Sequence, residues 1–223
     1  IGRYNKLVKQ NCYRISKLVN NIIDSSRISE GFYIISRSMV DFVRVVEDTA
    51  LSVASYLEKN NVDIIFDTDV EEKFMMVDEE KIERIVLNLL SNAVKYRRDS
   101  NSIIEISIQD GKDEVTLSIK DNGIGIPKEK QPLVFNRFIK ADSSFNRGGE
   151  GSGLGLYIVK SLVELHEGTI ELISEENQGT EFIIKLPVIL DNNPVVDING
   201  IKIKSIDEKI QIEFSDVYDF DEL

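Results

Sequence analysis

The chain has 223 residues, 42% of them hydrophobic, which is enough to bury one main core with smaller pieces at its ends. The formal net charge of −12 argues against general nucleic-acid binding, because that affinity comes from clustered Lys and Arg. One cysteine, Cys12, excludes internal disulfides and four-thiolate metal sites, and one histidine, His166, excludes multi-histidine metal centres. No apolar run reaches 18 residues, so we expect a cytoplasmic piece, with any membrane attachment upstream of it.

The first predicted element is a long helix over residues 3–29, which Gly31 ends. Its apolar residues follow helical spacing in a narrow stripe, as in a bundle or coiled coil: Leu7, Val8, Ile15, Leu18, Val19, Ile22 and Ile23. One helix cannot cover such a stripe by itself. We therefore expect residues 1–31 to form a helical piece that needs a partner helix, from a second copy or from sequence outside this chain.

Strand and helix patterns then follow in mixed order. Strand patterns cover residues 32–36, 62–67, 73–77, 103–108, 114–120, 169–174 and 180–186, and helical patterns cover residues 41–59, 78–96 and the stretch from the last glycines to His166. Asp110-Gly111 is a hairpin signal between two of the strands. This order predicts an α+β two-layer sandwich over residues 32–187, preceded by the long helix. The extension 188–223, with nine acidic and three basic residues, has weak strand patterns at 195–198, 201–204 and 210–214.

The helix that begins after Asp78 carries a polar face beside its apolar one. Asn88, Asn92 and Lys95 recur on that face at about one-turn spacing. An amide oxygen can bind Mg²⁺ without cancelling its charge, and an ammonium can neutralise a phosphate oxygen. The same pattern also suits an ordinary solvated helix face, and this helix alone does not decide between the two.

A first glycine-rich segment, Asp121-Asn-Gly123-Ile-Gly125-Ile126-Pro, directly follows a predicted strand. Two glycines with one residue between them let the backbone approach a flat ligand, and the carboxylate of Asp121 can accept a hydrogen bond from an amine such as that of adenine. A glycine-rich turn between two elements has the same pattern, so both interpretations stay open at this point.

A second glycine-rich segment, residues 148–155, runs directly into the helix that ends near His166. Free N–H groups and the positive end of a helix dipole make such a loop a ready anion site. The segment lacks the order of a Walker A loop and of a Rossmann fingerprint. Between the two glycine segments, Phe135 and Phe138 are spaced to anchor a mobile stretch that could close over a nucleotide.

Four motifs in this order resemble the N, G1, F and G2 boxes of sensor histidine kinases. They are Asn88-Leu-Leu-Ser-Asn92-Ala-Val-Lys95-Tyr96, then Asp121-Asn-Gly123-Ile-Gly125-Ile126, then Phe135 with Phe138, then Gly151-Ser152-Gly153-Leu154-Gly155. Residues 11–31 resemble the second helix of that family's dimerisation and phosphotransfer hairpin. The resemblance covers residues 1–187 and implies the Bergerat nucleotide-binding fold, with ATP and Mg²⁺ as its ligands.

The resemblance also implies a role for each matching residue. Asn92 would be the Mg²⁺ ligand with Asn88 beside it, and Lys95 would contact the phosphates. Tyr96, Asp121, Gly123, Gly125 and Ile126 would form the adenine pocket, with Asp121 at the amino group. A lid over residues 139–152 would place Gly151, Ser152, Gly153, Leu154 and Gly155 at the triphosphate, and Arg137 would be a further phosphate contact.

Asn88 favours a kinase over a hydrolase within this fold. Related hydrolases such as gyrase and heat-shock chaperones have a glutamate one turn before the Mg²⁺ asparagine, and an amide cannot replace it as a general base. The family's acceptor histidine belongs to the first hairpin helix, upstream of Arg3, while His166 matches a histidine for which we expect a capping role. We therefore predict a protein-histidine kinase piece that binds ATP and has no acceptor histidine of its own.

The resemblance further implies a homodimer through the complete hairpin and phosphotransfer to a response regulator in a bacterial two-component system. Two alternatives stay open. One is a regulatory module that binds ATP and a partner without kinase activity. The other is a serine kinase of the anti-sigma type, which usually lacks a hairpin helix like that of residues 3–29.

Overall fold

The computed structural model describes residues 2–58, 60–98, 101–139, 151–190 and 205–217. The helices are α1 (Gly2–Ser29), α2 (Phe42–Leu57), α3 (Glu79–Lys95), α4 (Gly155–Leu165) and α5 (Ile206–Glu213), with a short 3-10 turn at Gln131–Leu133. The strands are β1 (Ser38–Asp41), β2 (Val62–Thr68), β3 (Phe74–Val77), β4 (Ser102–Asp110), β5 (Glu114–Asp121), β6 (Thr169–Glu175) and β7 (Gly179–Pro187).

Five of the strands form one sheet in the order β2-β4-β5-β7-β6, in which β2 and β4 are parallel and the other pairs antiparallel. Alternate residues of β4 are buried, including Ile104, Ile106 and Ile108, so one face of the sheet packs on a layer that contains α2, α3 and α4. Strands β1 and β3 form a separate antiparallel pair. The predicted α+β two-layer sandwich preceded by a long helix is confirmed.

Helix α1 ends where the sequence predicts. Gly31 has a φ of 74°, and the N–H of Phe32 reaches back to the Arg27 carbonyl at 2.9 Å, which closes the helix end. Arg84 of α3 holds α1 against the domain by donating to Asp24 and to Asn21. The apolar stripe of α1 is exposed along most of its length in the described part of the chain. Among the helices in the described part of the chain, we find none with the length and hydropathy of a membrane span.

The strand predicted at 32–36 is wrong. The chain is extended there without pairing, the side chains of Phe32 and Ile34 are exposed, and the strand forms later as β1, which pairs with β3. The N–H of Ser36 is bound instead by the Asp78 carboxylate at 2.8 Å. An alternating pattern alone therefore predicted a strand where no partner strand lies alongside.

The strand predicted at 210–214 is also wrong, because this stretch belongs to α5. Ile210, Ile212 and Phe214 alternate as in a strand, but Ile210 and Phe214 also lie one helical turn apart, and both are buried. Ser205 caps the helix by accepting a hydrogen bond from the Glu208 N–H at 3.3 Å. The strands predicted at 195–198 and 201–204 lie outside the described residues.

Candidate nucleotide-binding site

Helix α3 supplies the polar face that the sequence indicates. Asp78 caps α3, and the apolar side of α3 is buried in the core. The polar residues on the other side of the helix therefore point away from the core. The Asn92 amide donates to Asn88 Oδ1 at 3.2 Å, which places the two carboxamides side by side one turn apart. Asn88 is 7% exposed and Lys95 follows on the same face. The structure thus brings two amides and an ammonium together at one wall of a cavity.

Asp121 lies at the end of β5, at the opposite end of the same cavity. Its Oδ1 accepts the N–H of Gly123 at 2.8 Å, and the backbone of Thr180, its register partner on β7, also hydrogen-bonds it. Burial raises the pKa of this carboxyl from its ordinary value of 3.8 to about 6, although both backbone hydrogen bonds act to lower it. Asp121 is therefore ionised at neutral pH in spite of its burial.

Within the glycine segment that follows Asp121, Gly125 is the position that least tolerates a side chain. Its φ is 69°, and a Cβ built there would lie 2.0 Å from the carbonyl oxygen of Glu175. A Cβ on Gly123 would lie 2.6 Å from the carbonyl oxygen of Tyr96. These glycines allow the segment after β5 to pack closely between the end of α3 and the β6–β7 turn, which forms one rim of the cavity.

The second glycine segment meets α3 at the other rim. A Cβ on Gly155 would lie 2.9 Å from Asn88 Nδ2, and one on Gly151 would lie 3.1 Å from Lys95 Nζ. Gly153, with a φ of 65°, accepts a hydrogen bond from the N–H of Phe138 at 2.9 Å. The start of α4 is therefore held directly against the amides and the lysine of α3, where an anion would meet backbone N–H groups.

Most of the predicted site residues line one cavity of about 580 Å³. They are Asn88, Asn92, Lys95, Tyr96, Asp121, Gly125, Ile126, Gly151, Ser152, Gly153 and Gly155. Three predicted residues do not line it, namely Gly123, Leu154 and Arg137. Leu154 is buried in the core, and the Arg137 guanidinium lies 5.3 Å from the centre of the Tyr157 ring. The central part of the predicted lid, residues 140–150, lies outside the described residues.

Several residues that the sequence did not indicate also line the cavity. Thr180 lies beside Asp121, and its place in the register of β5 and β7 could have been found only with the strand pairing. Lys17 of α1 and Asp216, which follows α5, come from elements far apart in sequence. The Asp216 carboxylate lies 2.7 Å from Lys17 Nζ and 2.9 Å from Lys95 Nζ. No local pattern in the chain signals this contact.

His166 has structural contacts in this arrangement. Its Nδ1 lies 2.7 Å from the Leu162 carbonyl oxygen, and its Nε2 accepts the N–H of Asp78 at 3.1 Å. Burial lowers the pKa of His166 below its ordinary value of 6.5, so the ring is neutral at pH 7. The histidine therefore joins the end of α4 to the start of α3, which agrees with the capping role expected from the sequence.

Residues 77–190, just over half of the chain, match the family described as "Histidine kinase-, DNA gyrase B-, and HSP90-like ATPase". Similar proteins include the hybrid signal transduction histidine kinase D of Dictyostelium discoideum, 30% identical over 82% of this chain and 12% of that protein. The circadian input-output histidine kinase CikA of Thermosynechococcus vestitus is 31% identical over 86% of this chain and 26% of its own length. The chain thus spans about a quarter or less of the length of these two curated relatives.

Solved structures give the same assignment. The nucleotide-free catalytic domain of histidine kinase ThkA matches with a TM-score of 0.61 and 25% identity, over 70% of this chain and 100% of that one. Full-length ShkA in complex with AMPPNP matches in fold with a TM-score of 0.72 and 22% identity, over 86% of this chain and 40% of that one. The chain belongs to the histidine kinase-, DNA gyrase B- and HSP90-like ATPase family, and it has the fold of histidine kinase catalytic domains.

Proposed function

We propose that this chain is the ATP-binding kinase part of a two-component sensor histidine kinase. It transfers the γ-phosphate of ATP to a histidine on a hairpin helix outside the chain. The observation that supports this most is that the two ends of this cavity carry different polar groups. One end carries the half-buried carboxylate of Asp121, and the other carries Asn88, Asn92 and Lys95 against a glycine segment at a helix start. An adenine with an exocyclic amine suits the first end and a triphosphate suits the second.

The donor set at the phosphate end suits Mg²⁺, which prefers oxygen ligands and keeps phosphate oxygens in its coordination shell. Because the Asn92 Nδ2 is bound to Asn88, the Asn92 Oδ1 is the atom left to face a cation. Bound Mg²⁺ would neutralise charge on the phosphates. Lys95 adds a positive charge next to Gly151, where the triphosphate would lie.

The residues of the site can position and neutralise the triphosphate, which is most of what phosphoryl transfer requires. In the transfer, an acceptor imidazole nitrogen bonds to the γ-phosphorus while the bond to the β,γ-bridging oxygen breaks, and ADP leaves. Asn88 cannot take a proton from water. The absence of a general base at position 88 favours transfer over hydrolysis.

The acceptor and the partners follow from the same proposal. The exposed apolar stripe of α1 needs a second helix, which would carry the acceptor histidine and complete a dimeric hairpin. ThkA has been solved in complex with the response regulator TrrA, and its structure matches this chain with a TM-score of 0.64 and 23% identity, over 83% of this chain and 51% of that one. We propose a response regulator as the final phosphate acceptor here as well, with the kinase part in the bacterial cytoplasm.

Calorimetry with Mg-ATP tests the binding half of the proposal. We expect binding to the intact chain and none to Asn92→Ala, whose circular dichroism should be unchanged because Asn92 faces the cavity. Ser52→Ala, at a half-exposed position of α2 that does not line this cavity, serves as the control and should bind as the intact chain does. If Asn92→Ala binds Mg-ATP with the affinity of the intact chain, Asn92 is not the Mg²⁺ ligand.

The transfer half is tested with γ-labelled ATP and a longer version of the protein that includes the complete hairpin. We expect a label on that protein that survives base and is lost in acid, as a phosphoramidate of histidine is. ATP binding without label would favour the regulatory module. An acid-stable label would favour a serine kinase, although α1 is a feature that anti-sigma kinases usually lack.

A further inference from the structure

The acidic segment that follows β7 returns to the phosphate end of the cavity. There the Glu213 Oε1 accepts a hydrogen bond from Asn88 Nδ2 at 2.9 Å. The Asp216 carboxylate bridges two ammonium groups, with Lys17 Nζ at 2.7 Å and Lys95 Nζ at 2.9 Å. The side chains that would meet the phosphates of a nucleotide are therefore already bound by carboxylates of the same chain.

Apolar packing holds this segment in place. Ile210, Phe214 and Val217 are only 1%, 1% and 3% exposed and belong to the core of the domain. The ring of Phe214 lies 5.7 Å from that of Tyr56 on α2. The carbonyl of Glu213 also accepts the Ser91 hydroxyl of α3 at 3.1 Å. Residues 205–217 are thus a docked element of the fold.

Asp216 is ionised at neutral pH, because two ammonium groups lie beside its carboxylate. Burial alone raises the pKa of this carboxyl, but Lys17 and Lys95 outweigh it and hold the pKa below its ordinary value. Burial likewise lowers the pKa of Lys17, and Glu213 and Asp216 together raise it above its ordinary value. An ion pair stays formed at neutral pH, with a carboxylate where the proposed function puts a phosphate oxygen.

We propose that residues 205–217 form an intramolecular competitor of the nucleotide, which occupies the phosphate end of the site and lowers its affinity for Mg-ATP until the segment is displaced. The inference rests on the proposed nucleotide site. A triphosphate and two carboxylates carry the same sign of charge and need the same ammonium and amide groups, so both cannot be accommodated there at once. The polar contacts of the segment described above go to α1 and α3, away from Asp121, so the adenine end stays accessible.

The same contacts join α1 to the kinase part. Lys17 of α1 binds both Asp216 and the Glu213 carbonyl, and Gln10 of α1 donates to the Ser215 carbonyl at 3.4 Å. Displacing the segment would therefore release α1 from this contact at the same time as it opens the phosphate end. Nucleotide binding and the freedom of the kinase part to move relative to the hairpin helix are coupled through one element.

The experiment compares the Kd of the non-hydrolysable Mg-AMP-PNP for the intact chain and for the double variant Glu213→Gln/Asp216→Asn, by calorimetry. If the segment covers the site in nine molecules out of ten, the variant should bind roughly tenfold more tightly. The control Asp207→Asn/Glu208→Gln removes the same charge from the first turn of α5 and should bind as the intact chain does. Adenosine, which lacks phosphates, should bind the intact chain and the double variant equally.

A second measurement uses the intact chain alone. Saturating Mg-AMP-PNP should increase amide hydrogen exchange in residues 206–217, and adenosine should not. Unchanged exchange in this segment, or a double variant that binds Mg-AMP-PNP as weakly as the intact chain or more weakly, overturns the inference and leaves the nucleotide site standing. Failure of every variant to bind Mg-AMP-PNP would instead overturn the proposed function.

Discussion

Asp121→Asn should make the nucleotide-free protein more stable while it weakens nucleotide binding. Burial holds the pKa of Asp121 at about 6 in the folded chain, against an ordinary value of 3.8. The raised pKa means that the folded state disfavours the charged form by at most about 3 kcal/mol at neutral pH. Asparagine keeps an acceptor oxygen for the Gly123 N–H and carries no charge, so it removes this penalty, while loss of the hydrogen bond with the Thr180 backbone would cost about 1 kcal/mol.

The sign of the pH dependence follows from proton linkage. Between pH 3.8 and about 6 the folded chain holds a proton on Asp121 that the unfolded chain has released, so this group makes the wild type less stable as the pH rises through that range. The excess stability of Asp121→Asn should grow by about 2 kcal/mol between about pH 4.5 and about pH 7.5 and then stay level.

Urea unfolding of both proteins across that pH range measures the effect. Asp113→Asn, in the exposed turn between β4 and β5, controls for the loss of one acidic charge and should show no such pH-dependent gain. Mg-ATP affinity should fall at least about tenfold in Asp121→Asn, because an amide is a weaker acceptor than a carboxylate and its NH₂ can face the adenine amine. A stability difference that does not change with pH would refute the assigned burial of this carboxyl.

Three further substitutions test other parts of the site. Asn88→Glu places a possible general base beside Asn92, and we expect slow ATP hydrolysis in a phosphate-release assay. His166→Ala leaves the Asp78 N–H without its partner and should lower the free energy of unfolding by about 2 kcal/mol or more at pH 7.5. Gly125→Ala forces a Cβ against the Glu175 carbonyl at positive φ and should cost about 2 kcal/mol or more in urea unfolding.

Each of these has its own contradicting result. No hydrolysis in Asn88→Glu would weaken the comparison with the related hydrolases. Burial of the His166 ring disfavours its protonation, so the wild type should lose stability as the pH falls below 6.5. The difference in the free energy of unfolding between the wild type and His166→Ala should therefore become smaller at low pH. A difference that stays constant with pH would contradict the lowered pKa. Gly31→Ala, at a φ of 74° with open space around the Cβ, should cost only about 1 kcal/mol, and an equal cost at Gly125 would exclude the clash.

Much of the fold could be predicted because most of the elements have clear local signals. Asp78 caps α3, Asp110-Gly111 turns β4 into β5, and Gly31 ends α1, each through backbone chemistry that the residue type itself determines. The strand predictions at 32–36 and 210–214 were wrong for the same reason. Alternating apolar residues predict a strand only where a partner strand lies alongside, and pairing is a property of the folded chain.

The sequence by itself determined which of these side chains share a face, since helical spacing places Asn88, Asn92 and Lys95 together and the two glycine segments lie at the rims of the cavity. Only the tertiary structure decided which groups meet these side chains. Asp216 reaches Lys95 across 121 residues, and Thr180 reaches Asp121 through strand register. Neither contact has a local signal, because burial and long-range pairing depend on how the whole chain packs, and the same packing sets the raised pKa of Asp121.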